Sequence, residues 1–149
     1  MSTPVYTYLQ LIKSVLEEIR TSNGYLTDLG VNVTVEPTQQ LGDGGQRIAL
    51  LQTQYGPPST PGLRHHARTI AFHAIAQVPR GDADAQLRLH RAQSDIDLCL
   101  SNTDLLRTKF QLGADRPFPI LDDSAIASQV EGMDWVGVAL RYTAQLRIR

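Results

Sequence analysis

The residues of this 149-residue chain whose types could do chemistry are four histidines, one cysteine and several paired carboxylates. His65 and His66 are adjacent, and neighbouring residues of a strand point to opposite faces, so the pair chelates an ion only from a loop. His73 falls on the strand face of His65 but eight residues on, about 26 Å away in extended chain. A metal site needs further ligands at defined spacing; surface or interface histidine is the simpler reading, and no metal is expected. Cys99 sits on an apolar stripe at helical spacing, where a free thiol packs as a small hydrophobe. A nucleophile would want a partly exposed setting that lowers its pKa. Asp95 and Asp97 are two apart on a helix and do not face each other. Asp122-Asp123 precedes Ser124 and reads as a turn cap rather than an acid/base pair. Asp43-Gly44-Gly45 lacks the flanking residues of a phosphate loop, and neither GxSxG nor HExxH occurs. The expectation is no catalytic residue, no cofactor and no enzymatic role.

The elements that must position these residues follow from periodicity. Val5, Tyr8, Leu9, Ile12, Val15, Leu16 and Ile19 recur at helical spacing. With Thr3 as N-cap, Pro4 in the first turn and Asn23-Gly24 as the stop, the spacing predicts a helix over Pro4 to Ser22. Val31, Val33 and Val35 alternate with polar residues, which predicts a strand ending at Pro37. Thr38 to Gln46 is glycine-rich and reads as a hairpin loop. Ile48 to Tyr55 reads as a second strand. Gly56 to Gly62 holds three prolines without amide donors and reads as an exposed loop. Leu63 to Val78 alternates as one strand far longer than the usual five or six residues, and both its faces carry apolar or small residues. Asp82 is expected to cap a second helix, about Ala83 to Leu100 with an extension toward Leu106, whose outer side carries Arg88, Arg91 and Asp95. Lys109 to Ala125 is irregular apart from a short strand at Ile120-Leu121. Ala127 to Val130 is another short strand, and Val136 to Arg149 closes the chain as a long one. The fold class is α+β: a two-layer sandwich of two main helices on a mostly antiparallel, mixed sheet, in the order α-β-β-β-α-(β)-β-β. It forms a single domain, 1–149, with extended loops at 38–46, 56–62 and 109–128.

Composition narrows the class further. A formal net charge of -1 argues against a protein that coats phosphates. No apolar run reaches the roughly 18 residues of a membrane span, and no secretory leader is visible at the N-terminus. A single cysteine excludes an internal disulfide framework and points to a reducing compartment or a particle assembled there. Of 14 basic residues only Lys13 and Lys109 are lysines. Arginine in place of lysine suits protein interfaces, although a GC-rich genome produces the same bias.

Three strings carry a family resemblance: "SNGYLTDLGVNVTVE" after the first helix, "DADAQLRLHRAQSDIDLCL" and the closing "DWVGVALRYTAQLRI". Together they resemble the small tail-terminator and minor-tail proteins of long-tailed bacteriophages. The most characteristic piece is T-x-N-G-Y-x-T-D-x-G, matched by Thr21, Asn23, Gly24, Tyr25, Thr27, Asp28 and Gly30. The resemblance spans nearly the whole chain except Leu112 to Ser128, which follows no family pattern. It implies an α/β subunit of a hexameric ring at the head-proximal end of the tail tube, located in the virion after assembly in the host cytoplasm. Such a ring stops tube polymerisation and offers a joining surface to the head. The implied partners are copies of itself, the tail tube protein and a head-completion or neck protein, with DNA only in passage through the lumen and no membrane.

The residues are compatible with that picture. A ring needs head-to-tail contacts, and an overhanging strand offers edge hydrogen bonds to a neighbour. The expected interface residues are Asp43 and Gln46 in the glycine-rich loop, Arg64, His66 and Arg68 on the long strand, and Arg147 and Arg149 at the C-terminal end. Two other readings stay open: another neck or head–tail completion protein, or a small nucleic-acid-binding or enzymatic α+β domain. The nucleic-acid reading needs Arg64, Arg68, Arg141, Arg147 and Arg149 to form one basic stripe.

Overall fold

The computed structural model describes residues 3–36, 45–58, 66–111, 120 and 126–148. Helix α1 (Pro4–Leu16) starts as expected: the Thr3 hydroxyl accepts the Tyr6 amide at 3.2 Å, and Pro4 occupies the first turn. It ends at Leu16, not Ser22. The next amides, of Glu18 and Ile19, reach back only three residues, to Val15 and Leu16 at 3.1 and 3.0 Å. This tightened turn keeps Ile19 fully buried, so the apolar periodicity outlasts the helix that produced it. Two short 3-10 turns follow, Thr21–Asn23 and Leu29–Val31, the first closed by Gly24 in the left-handed region.

Strands β1 (Val33–Thr34), β2 (Arg47–Pro58), β3 (His66–Pro79), β4 (Ile126–Glu131) and β5 (Trp135–Ile148) form one sheet in the order β1-β2-β3-β5-β4. β3 and β5 pair antiparallel without a break from His66 opposite Ile148 to Pro79 opposite Trp135. β1 pairs with β2 in parallel, Val33 beside Ile48 and Thr34 beside Ala49. The strands on either side of Thr38 to Gln46 therefore do not form the expected hairpin, which needs antiparallel partners; residues 38–44 themselves lie outside the described residues. β2 runs on to Pro58, where a loop from Gly56 was expected. Its far half pairs only with β3 among the described residues, and on such an edge a proline loses no ladder bond. A bulge at Thr53 and a second register shift before Pro58 interrupt it.

Helix α2 (Ala85–Leu100) is followed by a separate helix α3 (Thr103–Phe110), where a continuous extension was expected. Asn102 makes the break: its side chain accepts the Leu105 amide at 3.2 Å and starts a new helix. Lys109 thus belongs to α3 rather than to an irregular segment. Asp82 does not cap α2 directly; its carboxylate accepts the Asp84 amide at 3.0 Å and so shapes the turn before the helix. Ile120 makes an isolated bridge to Ala144; Leu121, the other residue of the expected short strand, lies outside the described residues.

The helices and the sheet form the two layers of an α+β sandwich. The core joins Ile12, Val15 and Leu16 of α1 and Leu89, Ile96 and Cys99 of α2 to one sheet face, which carries Ile48, Leu50, Ile70, Phe72, Val78, Leu140 and Tyr142. Phe72 stands at its centre, fully buried, stacked on Tyr142 at 5.6 Å and edge-on to Tyr8 at 5.7 Å. Truncating such a residue to alanine costs about 3–5 kcal/mol. The other sheet face contributes nothing to this core cluster. Its buried alanines (Ala49, Ala71, Ala139) lie around Ile75, so this face too is small or apolar along the middle of β3, which explains how both faces of the long strand read alike in the sequence.

Candidate interaction surface

The motif that carries the resemblance holds the fold together. Both the amide and the hydroxyl of Thr21 donate to Asp28 Oδ1, at 2.8 and 3.0 Å. The Asn23 side-chain amide donates to the Glu18 carbonyl at 2.9 Å. Gly24 has φ +92°, which side chains resist. The Gly30 amide donates to the Ile19 carbonyl at 2.8 Å. Thr27 donates twice to Asp95 of α2, from its amide at 2.7 Å and its hydroxyl at 2.6 Å, and the Leu26 amide adds a third bond at 3.0 Å. Asp95 is therefore buried against this strap, where the helix pattern placed it on the outer side. The reason lies in its partners: they are loop donors remote in sequence, which helix periodicity does not register. Tyr25 completes the strap, partly buried against the core, its hydroxyl pushed well above the usual phenol range by burial and then by a hydrogen bond with Cys99. Burial likewise pushes the Cys99 thiol up to about 11, and the thiol donates to the Val15 carbonyl at 3.3 Å. Cys99 is thus a packed, protonated thiol, as its place on the stripe implies.

Three surfaces remain for contact. The first is the outer edge of β2. β1 covers it only at Ile48 and Ala49, and from Ile48 to Pro58 the strand carries no charge. Natural sheets blunt their edges with lysines, prolines or bulges; this one has its bulge and prolines but an unprotected stretch at Leu50–Gln52. The Ile48 amide donates outward to the Asn32 carbonyl at 2.9 Å. By the two-residue period of a strand, Gln52 presents its amide on that same side.

The second is the sheet face away from the helices. Leu51, His73 and Arg141 lie in one row across β2, β3 and β5. Leu51 is 45% exposed, large for an apolar residue. The His73 imidazole is held below its ordinary pKa, first by burial and then by the Arg141 guanidinium. At the end of this face the Trp135 ring lies over Gly137, so closely that a Cβ there would stand 2.8 Å from it.

The third is a cleft of about 160 Å³ between the strap and α2, lined in part by Leu26, Asp28, Gln46, Arg88 and Arg91. Arg88 is an ion-pair partner of Asp82 and also donates to the Gln46 side chain. The bonds it accepts from the Asp84 backbone amide and then from Arg88 hold Asp82 below the usual carboxylate range.

Of the expected interface residues, Gln46 is half-buried in this corner, hydrogen-bonded to Arg88 rather than standing free. The backbones of His66, Arg68 and Arg147 meet at one end of the sheet, His66 opposite Ile148, Ala67 opposite Arg147 and Arg68 opposite Leu146. Asp43, Arg64 and Arg149 lie outside the described residues, as do Asp122 and Asp123. Arg141 sits six residues before Arg147 on β5, about 20 Å away in extended chain, so it does not join the arginines at the tip. Among the described residues no group of three His, Cys, Asp or Glu side chains is placed to hold a metal ion, and no helix is long and apolar enough to cross a membrane. Sequence reasoning missed Asp95 and the edge at Leu50–Gln52; for the edge, the uncharged run after Arg47 was the available signal. No protein-family model matches the chain, and no curated protein matches it.

Proposed function

We propose that this chain is a structural subunit that assembles with its own copies, in the manner of a phage tail terminator capping the head-proximal end of a tail tube. The observation that carries the reading is the uncharged outer edge of β2, which pairs with nothing beyond Ala49 among the described residues. An edge of this kind gains ladder hydrogen bonds when a second strand is added. The resemblance supplies the ring and the tail; its motif residues all support the strap that braces α2, so its imprint falls on the fold. In this reading the chain acts by shape, and its working parts are strand edges and the uncovered sheet face.

The test is the length of tails. Particles lacking the protein are expected to carry overlong tubes that fail to join heads, and the purified protein added to tubes is expected to appear as a ring at one end. Tails of normal length without it, together with no binding to tubes, would overturn the proposal. Normal free tails beside filled heads would point instead to a neck or joining protein.

A further inference from the structure

We infer that copies of this chain join by antiparallel pairing of the outer edge of β2 in one copy with the outer edge of β4 in the next, with Gln52 opposite Gln129. This rests on the assembly reading above and specifies its contact. The two edges are the two ends of one sheet. Among the described residues β4 pairs only with β5, and β2 is covered by β1 only at Ile48 and Ala49. Beyond its first residue Arg47, β2 carries no charge, and β4 carries only Glu131, at its last position, where Arg80 pairs with it at 3.2 Å.

Strand direction fits. β2 runs opposite to β3, β3 to β5, and β5 to β4, so β4 runs opposite to β2. Rotation about a ring axis preserves these directions, so the neighbour's β4 arrives antiparallel to β2. The contact is head-to-tail, the kind that closes rings.

The register follows from β1. Gln129 lies level with Val138, Ala76 and Ile48 across the sheet. A contact without offset would drive β4 into β1. Only an even offset keeps the two sheet faces continuous, because each one-residue step turns side chains to the opposite face. An offset of two places Glu131 at Ile48, still against β1. An offset of four places Glu131 at Leu50, and this is the smallest that clears β1; the chain after Thr34 turns away toward α1, where Tyr6 donates to Glu36 at 3.3 Å. Four residues are about 14 Å along the strand, and the four strands β2, β3, β5 and β4 span about 19 Å across, which gives a strand tilt of about 35° to the ring axis. Closed sheets tilt by roughly 35–45°. The same register sets Leu51, exposed in the single chain, beside Val130 on the uncovered face, a cross-strand apolar pair. Gln52, whose amide points outward, then makes the hydrogen-bonded pair with Gln129.

Leu51 opposite Val130 is a pair without mutual ladder bonds, with Cα atoms about 4.5 Å apart, within disulfide reach. The experiment mixes Leu51→Cys and Val130→Cys proteins under mild oxidation. A covalent dimer is expected in the mixture and in neither protein alone. A second variant, Gln52→Pro, removes the outward amide while leaving the ladder to β3 intact, and is expected to yield a folded monomer by circular dichroism and sedimentation; Gln52→Ala is expected to assemble normally. Rings that form without the mixed disulfide, Leu51→Cys dimers in isolation, or Gln52→Pro rings would overturn the edge pairing and leave the assembly reading standing. A parent chain that stays monomeric at every concentration and on tail tubes would overturn both.

Discussion

Thr27 and Asp95, 68 residues apart in the chain, are joined twice through one carboxyl oxygen, which takes the Thr27 amide at 2.7 Å and its hydroxyl at 2.6 Å. The second oxygen takes the Leu26 amide at 3.0 Å. Three donors of a turn without regular structure are thereby satisfied by one side chain of α2. The turn and the helix become one rigid unit, and that unit braces the sheet face on which Phe72 packs.

Removing that side chain leaves two backbone amides without their acceptor at a site that is 1% exposed. Bonds to a carboxylate are worth about 1.5–3 kcal/mol, and an orphaned buried donor costs about 1–3 kcal/mol. Asp95→Ala is therefore expected to destabilise the fold by about 3–5 kcal/mol in urea denaturation. Thr27→Val, which deletes only the hydroxyl, is expected to cost about 1 kcal/mol. The double variant should cost less than the sum, because the two share one bond. Additive effects would show that the bond is not formed.

Gly24 and Gly30 stand in the same motif for different reasons, and their alanine variants separate them. A Cβ at Gly30 would meet the Glu17 carbonyl oxygen at 2.6 Å and that of Ile19 at 2.7 Å, both main-chain atoms. Neither can yield without moving the turn that ends α1. Gly30→Ala is expected to cost more than about 3 kcal/mol, in the range of severe overpacking. Gly24 has open space around it but φ +92°, so alanine there incurs only left-handed strain, about 1–2 kcal/mol. Equal melting temperatures for the two variants would contradict this division.

What the sequence disclosed and what it hid divides along the range of the interactions. α1 was legible because its stripe, its Thr3 cap and Pro4 are all local, and its end was misjudged only because Ile19 remains buried after the hydrogen-bond pattern changes. The α+β class and the long β3 and β5 strands followed from period-two alternation. The parallel pairing of β1 with β2 was not legible, since a glycine-rich connection looks alike whether the chain reverses or loops back. Asp95 was assigned to the solvent because helix periodicity counts neighbours on its own element and cannot see loop amides. For the interface, Arg68 and Arg147 were placed on strands that do meet, at adjacent register positions. The unprotected edge at Gln52 lies inside the strand expected over Ile48 to Tyr55; strand order is set by pairing partners remote in sequence, so period-two alternation alone does not tell an edge strand from a central one.

His73 gives the structure a pH dependence whose sign is fixed. Its imidazole is held below 6.5 in the folded chain, chiefly by burial and then by Arg141, its partner across β3 and β5. Leu51, opposite it on β2, offers no charge to offset that repulsion. The unfolded chain takes up the proton near 6.5, so the folded state binds fewer protons in that range. The stabilisation from a neutral His73 is complete above that value and is lost as pH falls through it toward the lower folded pKa. Melting temperature is thus expected to fall between pH 7 and pH 5, and His73→Gln to flatten that fall relative to the parent. Arg141→Gln should flatten it less, because burial, the larger cause, remains. The two variants together separate desolvation from charge repulsion, and a His73→Gln curve parallel to the parent through this window would show that the imidazole is already solvated in the folded chain.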